Sequence, residues 1–298
     1  MSNKLKIKKN IFIGSIGILK SIYNKVSIIE EDDFCINTED IDEIDLELKK
    51  ILKITRDVCL YAYFLDYEKF YIFMAYIQKR KFSVNVIKYN NNNSINTFFF
   101  PSYSNLSCFI KRLFDILVSL FGIIVFLPIW LAILLFCSIS TKGSPIFKQN
   151  RITQYGKIFE MYKFRSMYAR SEEKGGAHWT HQGDMRITKF GSIIRKFSID
   201  EFAQLLNVLK GDMSLIGPRP ERPELVEKFI KDIDNYELRH LFKAGMSGWA
   251  QVNGLRGDTS LKKRVEYDVY YLQNWSILFD LKIFVKTFIR GFKNENAY

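Results

Sequence analysis

Up to about residue 90, short apolar runs alternate with longer stretches of helical period. "NIFIG", "VSII", "VCLYAYFL" and "FSVNVIKY" read as strands. "SIGILKSIYNK", "IDEIDLELKKILKI" and "YEKFYIFMAYIQKRK" between them read as helices; the second is amphipathic, with Ile44, Leu46, Leu48, Ile51 and Leu52 among its apolar positions. Strand–helix alternation predicts a small parallel sheet. Gly14 and Gly17 follow the first strand as a fragment of a dinucleotide fingerprint, but the rest of its spacing is missing. Residues 1–92 are therefore expected to form a small, degenerate, non-binding α/β (Rossmann-like) domain. "NNNNS" opens a linker, residues 93–110.

The pattern then changes. No charged residue occurs from Ile116 to Thr141. A straight helix of that length would reach about 39 Å, more than the roughly 30 Å hydrocarbon core of a bilayer. Lys111 and Arg112 precede the segment, and Lys142, Lys148, Arg151 and Lys157 follow it. Cations at both ends pull both toward the cytoplasm. Pro128, near the middle, lacks the N–H a continuous helix needs. Residues 111–141 are expected to form a re-entrant helical hairpin broken at Pro128; a kinked spanning helix is the alternative. The hairpin is expected to hold the protein at a membrane, with lipid as a partner and residues 142–298 facing the cytoplasm. No secretory signal is expected at the start of the chain.

Charge sharpens the reading of the C-terminal part. Residues 142–298 hold 27 basic against 18 acidic residues, +9 of the net +12. Such an excess suits phosphate esters, acidic lipid or nucleic acid. The cations are scattered through strands and loops rather than gathered on a recognition helix, so no nucleic-acid partner is expected. Cys35, Cys59, Cys108 and Cys137 show no paired spacing, which fits a reducing compartment. His178 and His181 in "HWTH" have no third ligand near them in sequence, so zinc is not expected.

Several runs carry candidate chemistry. Lys163 and Arg165 alternate along "IFEMYKFRSM" and would share one strand face, as a diphosphate contact or a solvated edge. "FSIDEF" places Asp200 and Glu201 side by side. Ser198 and Glu201 fit a capping box at the start of a helix that Gly211 ends. A helix start would keep Asp200 ionised and could hold phosphate oxygens beside it. On this pattern alone the pair is either a cap or a reactive acid and its helper. "GPRPER" holds Arg219 between prolines, a stiff anion contact. "GWAQVNGLRG" presents Gln251 and Arg256 on a glycine-punctuated loop as further substrate contacts. Lys282, Lys286 and Arg290 stripe a terminal helix suited to an anionic membrane surface.

The order of "KRLFD", the apolar segment, "KFRSM", "GDMRITKFG", "IRKFSIDEFAQLLNVLKGDMSLIGPRP", "GWAQVNG" and "YDVYYLQNWSILFDLKI" resembles the bacterial sugar transferase family, monotopic polyprenyl-phosphate phosphoglycosyltransferases. The likeness runs from Lys111 to about Gly291. It implies an α+β catalytic domain on a re-entrant membrane hairpin. It also implies transfer of a sugar 1-phosphate from a UDP-sugar to undecaprenyl phosphate with Mg2+ and release of UMP, the first membrane step of glycan assembly. Under the resemblance Asp200 is the nucleophile and Glu201 sits with the metal or handles a proton, so both are the expected Mg2+ ligands. Arg195 matches the phosphate-binding arginine, with Lys163, Arg165 and Arg219 as further phosphate contacts. Larger members place membrane helices ahead of an α/β domain; here a shortened module is expected without them, as a contact for a homodimer. Two rival readings are direct transfer in a ternary complex and a non-catalytic basic scaffold tethered to the membrane.

Overall fold

The computed structural model describes residues 9–15, 34–54, 58–89, 95–169, 184–257 and 259–291. The chain divides into two compact units, Met1–Asn105 and Leu106–Tyr298.

In the first unit, strands β1 (Lys9–Gly14), β2 (Phe34–Ile36), β3 (Val58–Tyr63), β4 (Val84–Tyr89) and β5 (Ile95–Phe100) form one sheet in the order β2-β1-β3-β4-β5. The first four are mutually parallel, and β5 runs antiparallel to β4. The expected parallel sheet is present, with two differences. The second strand is Phe34–Ile36, from a stretch read as acidic loop; "VSII" and the helix "SIGILKSIYNK" fall largely or wholly outside the described residues. The stretch expected as a linker supplies β5, because it pairs along the whole of β4, Val84 with Phe100 through Tyr89 with Ile95. Helices α1 (Ile41–Ile54) and α2 (Tyr67–Arg80) start at aspartate caps: Asp40 accepts from the N–H groups of Asp42 and Glu43, Asp66 from those of Glu68 and Lys69. Ile44, Leu48, Phe70, Phe73 and Ile77 are buried with the strand residues Ile11, Ile13, Leu60 and Val86.

The second unit opens with a broken helix, α3 (Asn105–Val125) and α4 (Leu127–Thr141), bent by 69°. No single helix among the described residues is long and apolar enough to cross a membrane; this pair passes by length and composition only when taken together. The break lies at Phe126, and Pro128 sits in the first turn of α4. A helix continued through residue 128 would leave the Ile124 carbonyl without a donor and against the proline ring, so α3 stops and proline starts a new helix where no N–H is needed. Leu106, Phe109, Leu113, Leu117, Phe121 and Ile124 form an exposed stripe on α3, and Leu131, Leu135 and Ile139 stand exposed on α4. The opposite side of α4 buries Trp130, Ile133 and Cys137.

Lys111 and Arg112 do not behave as solvated flanking charges. Lys111 Nζ donates to Asp280 (2.6 Å) and to the Ile216 carbonyl (3.0 Å). Arg112 donates to the carbonyls of Val208 and Leu209, at 2.6 and 2.7 Å. These belong to the last turn of α6 (Gln204–Lys210), whose end needs donors. Asp115, one turn further, accepts from Ser214 Oγ and the Leu215 N–H. "KRLFD" therefore bolts α3 to the domain that follows.

That domain begins with the antiparallel pair β6 (Ile146–Ile152) and β7 (Ile158–Phe164). Helix α5 (Lys189–Lys196), a 3-10 turn (Ile199–Ala203) and α6 lie next in sequence, followed by β8 (Ser214–Ile216) and α7 (Pro223–Asp232). A second 3-10 turn (Tyr236–Leu241), β9 (Gly245–Ser247), the short α8 (Trp249–Val252), α9 (Leu261–Gln273) and α10 (Ile277–Gly291) complete it. Asn207, fully buried, accepts the Tyr162 N–H and donates to the Glu160 carbonyl, which pins α6 along β7. β8 and β9 pair in parallel, and a Cβ at Gly217 would lie 2.3 Å from the Lys243 carbonyl oxygen, so only glycine allows that approach. On α10, Lys282 and Lys286 lie over the Trp249 ring, at 5.6 and 4.6 Å, rather than forming an open basic stripe. Leu278, Leu281, Val285 and Phe288 make the exposed face apolar; the Arg290 side chain is outside the described residues.

Candidate active site

Asp200 and Glu201 sit in the 3-10 turn, not in the first turn of an α-helix. Ser198 adopts a left-handed conformation (φ 54°, ψ 23°) and its side chain makes no cap hydrogen bond. The expected capping box does not form. Its physical competitor is visible: Glu201 is held by three cations and has no oxygen to spare for the cap. Lys163 Nζ and Arg219 Nη2 lie 3.2 and 2.7 Å from Oε1, and Arg256 Nη2 lies 2.9 Å from Oε2. The left-handed serine costs about 1 kcal/mol or more and turns the chain sharply out of α5.

Asp200 is 8% exposed and has no hydrogen bond or ion pair among the described residues. Burial pushes its carboxyl up, and neighbouring Glu201 adds to the shift; Lys163, Arg195 and Arg256 only partly offset it. The helix-start argument expected the reverse. A 3-10 turn offers few aligned N–H groups, so desolvation decides. Glu201 goes the other way. Burial alone would raise it, but Arg219, Lys163 and Arg256 outweigh burial and hold it well below the usual carboxylate range. Burial also lowers the Lys163 ammonium against the pull of Glu201 and Asp200. Two adjacent acids thus differ: one is locked as an anion within a cationic cage, the other is buried with its oxygens unengaged by any described residue.

The predicted residues divide accordingly. Lys163, Arg219 and Arg256 converge on Glu201, and Arg195 stands close enough for its charge to act on Asp200. Arg165 does not join them. β7 ends at Phe164, so strand alternation no longer applies, and Arg165 Nε donates to the Ser144 carbonyl. Gln251 stands on the short helix α8 rather than on a loop, and its side chain donates to the Met246 carbonyl. Pro128 lies just after the bend between α3 and α4, and Lys111 and Arg112 tie α3 to the rest of the domain. His178, His181 and the rest of "HWTHQG" lie outside the described residues.

Sequence reading missed the layer behind the cage. Arg239, 1% exposed, is paired with Asp268 at 2.7 Å and donates to the Arg219 carbonyl at 2.9 Å. Arg151 donates to the Pro220 carbonyl, and the Ile152 N–H to that of Glu221. The sequence shows only a glutamate after "PRP"; its burial, and with it the need for partners, appears in the structure. The hairpin also touches this site. Trp130 of α4 packs edge-on against Phe164 at 5.2 Å, and Phe126 at the bend packs against Phe202 at 6.3 Å, so α4 meets β7 and the bend meets the 3-10 turn.

The family model for bacterial sugar transferases matches residues 106–294. The chain belongs to the bacterial sugar transferase family. It is 44% identical over 186 residues to the UDP-N-acetylgalactosamine-undecaprenyl-phosphate N-acetylgalactosaminephosphotransferase of Aeromonas hydrophila, covering 62% of this chain and 44% of that one. Against the UDP-glucose:undecaprenyl-phosphate glucose-1-phosphate transferase of Escherichia coli it is 40% identical over 199 residues, 65% of this chain and 43% of the relative. A similarly named enzyme of Caulobacter vibrioides is 37% identical over 192 residues, 63% of this chain and 72% of its own length. The chain spans less than half the length of the first two relatives. The matched region contains the whole cage and the hairpin; the five-stranded sheet lies ahead of it.

Proposed function

We propose that this protein transfers a sugar 1-phosphate from a UDP-sugar to undecaprenyl phosphate, with Asp200 as nucleophile. One observation carries the reading: a buried carboxylate with no hydrogen-bond or ion-pair partner among the described residues, beside a carboxylate gripped by three cations. The names of the relatives support the reaction class and the lipid acceptor.

Asp200 attacks the phosphorus that carries the sugar, and the bond to the UMP oxygen breaks. UMP leaves with the electron pair, its charge offset by Lys163, Arg219 and Arg256. The phosphosugar remains on Asp200 as an acyl phosphate. An oxygen of undecaprenyl phosphate then attacks the same phosphorus, and the Asp200 oxygen departs as carboxylate. Glu201 keeps the three cations from repelling one another while the site stands open.

Among the described residues no three His, Cys, Asp or Glu side chains group as a metal site. Mg2+ fits differently, through one carboxylate and phosphate oxygens of the donor. Asp200 has the free oxygens for this; those of Glu201 are taken, so Glu201 is read as the organiser of the cage. When bound, the ion would neutralise phosphate charge that otherwise repels the incoming carboxylate.

A quenched reaction with UDP-sugar alone, read by intact mass, tests the covalent route. An adduct of one phosphosugar is expected. Full turnover on undecaprenyl phosphate with no adduct at any quench time would support direct transfer instead.

The hairpin is read as re-entrant, burying its exposed apolar faces in the cytoplasmic leaflet and bringing the lipid phosphate to Asp200. Leu131 and Leu135 are 59% and 60% exposed. Replacing both with lysine is expected to abolish flotation with anionic phospholipid vesicles, at about 2–3 kcal/mol per buried charge near a helix centre. Flotation equal to wild type would sink the membrane reading.

A further inference from the structure

Arg264 stands on α9, away from Asp200 and Glu201, and is 3% exposed. Its two terminal nitrogens reach two different loops. Nη1 donates to Glu221 Oε1 at 3.0 Å, two residues after Arg219. Nη2 donates to the Gly257 carbonyl at 2.8 Å and to Thr259 Oγ1 at 3.1 Å, just after Arg256. Arg219 and Arg256 are the two arginines that meet on Glu201: Arg219 reaches Oε1 at 2.7 Å and Oε2 at 3.5 Å, and Arg256 reaches Oε2 at 2.9 Å. Each loop has other supports. Arg239 and Arg151 hold the Arg219 loop by its carbonyls, but neither has a bond to the 256–259 loop among those described. Arg264 bridges both.

The placement is costly for stability alone. Arg264 Nε is buried with no hydrogen-bond partner, and an unsatisfied buried donor costs about 1–3 kcal/mol. A lysine could satisfy Glu221, and an apolar residue could fill the space. Only a planar fork offers rigid bonds in two directions at once.

We propose that Arg264 is a positioning residue that sets the spacing between Arg219 and Arg256, and through it the width of the cradle for the donor diphosphate. This rests on the transferase reading above. A displacement of about 1 Å in a positioning group can cost on the order of 10²-fold in rate. Lysine at 264 keeps the charge and can hold one loop, not both. Arg264→Lys in the full-length protein is therefore expected to raise KM for the UDP-sugar and Kd for UDP by about tenfold or more. KM for undecaprenyl phosphate should be little changed.

The decisive measurement is a double-mutant cycle with Arg256→Ala, read both as kcat/KM and as UDP affinity by calorimetry. If Arg264 acts through Arg256, the double variant loses little more than Arg256→Ala alone. Multiplicative losses would overturn the proposal. So would an Arg264→Lys variant with unchanged UDP Kd and donor KM whose kcat merely follows its folded fraction, since KM does not depend on how much enzyme is folded. The UDP arm separates this idea from the function itself. Wild-type protein that binds UDP but transfers nothing would defeat the transferase reading and leave the cycle readable.

Discussion

Asp200→Asn is expected to lower sugar-phosphate transfer by at least about 10³-fold, with loss of the covalent adduct and no loss of fold. The amide is nearly isosteric and cannot form an acyl phosphate. The same change should leave Tm at neutral pH equal to or above that of wild type. The folded state raises the Asp200 pKa through burial, so it binds the proton more tightly than the unfolded chain does. Such a group contributes stability below the unfolded value, about 3.9, and that contribution is lost as pH rises through the folded value. At neutral pH a buried, unengaged anion is a burden that asparagine removes. Activity should run in the opposite sense. The attacking group must be ionised, so the acid limb of kcat/KM is expected above the ordinary aspartate range and should report the raised value. Near-normal transfer by the asparagine variant would remove Asp200 as nucleophile. A Tm loss as large as that of the next variant would make it a structural acid.

Arg219→Ala is expected to damage both rate and stability. Arg219 makes the shortest contact with Glu201, and Glu201 holds the arginine firmly charged in return. Removing one partner of a buried pair leaves an uncompensated charge, at about 3–5 kcal/mol. Lys163 and Arg256 remain on Glu201, so the lower end applies. In a unit of this size that is a Tm drop of roughly 6–12 °C. The loss of a fixed cation facing the leaving phosphate should cost about 10²–10³-fold in kcat. Arg219→Lys separates the two effects. It restores a charge to Glu201 and should recover most of the Tm, but it cannot reproduce the two-nitrogen contact and should recover little of the rate. Thermal melts and single-turnover rates on the two variants check this; equal recovery of both would mean that charge alone matters.

These expectations draw on features with different origins in the chain. The adjacency of Asp200 and Glu201 was legible at once, as was Arg219 between prolines. What each acid does was not. "SIDE" satisfies the capping-box pattern, yet the structure discards it, because three charge-assisted contacts on Glu201 outweigh one backbone N–H. Those contacts span 38, 18 and 55 residues of sequence. No local periodicity reports a pairing at that distance. Lys111 and Arg112 show the same limit from the other side. Their position beside an apolar run reads as a membrane flank, and only packing shows both side chains turned onto Asp280 and the end of α6.

The sequence by itself determined what depends on neighbours along the chain. It set a long apolar stretch interrupted near Pro128, a helix–strand alternation that yields a mostly parallel sheet, and a basic C-terminal part. It also set an ordered run of motifs that places the chain in its family. Tertiary structure alone decided what depends on neighbours in space. It turned β5 out of an expected linker, sent Arg165 onto the Ser144 carbonyl and brought Lys163, Arg219 and Arg256 onto one carboxylate. It also shifted the Asp200 and Glu201 carboxyls in opposite directions. The physical reason is desolvation. A charge on an extended chain is stabilised by water wherever it stands, whereas a buried one depends on which counter-charges the fold delivers to it.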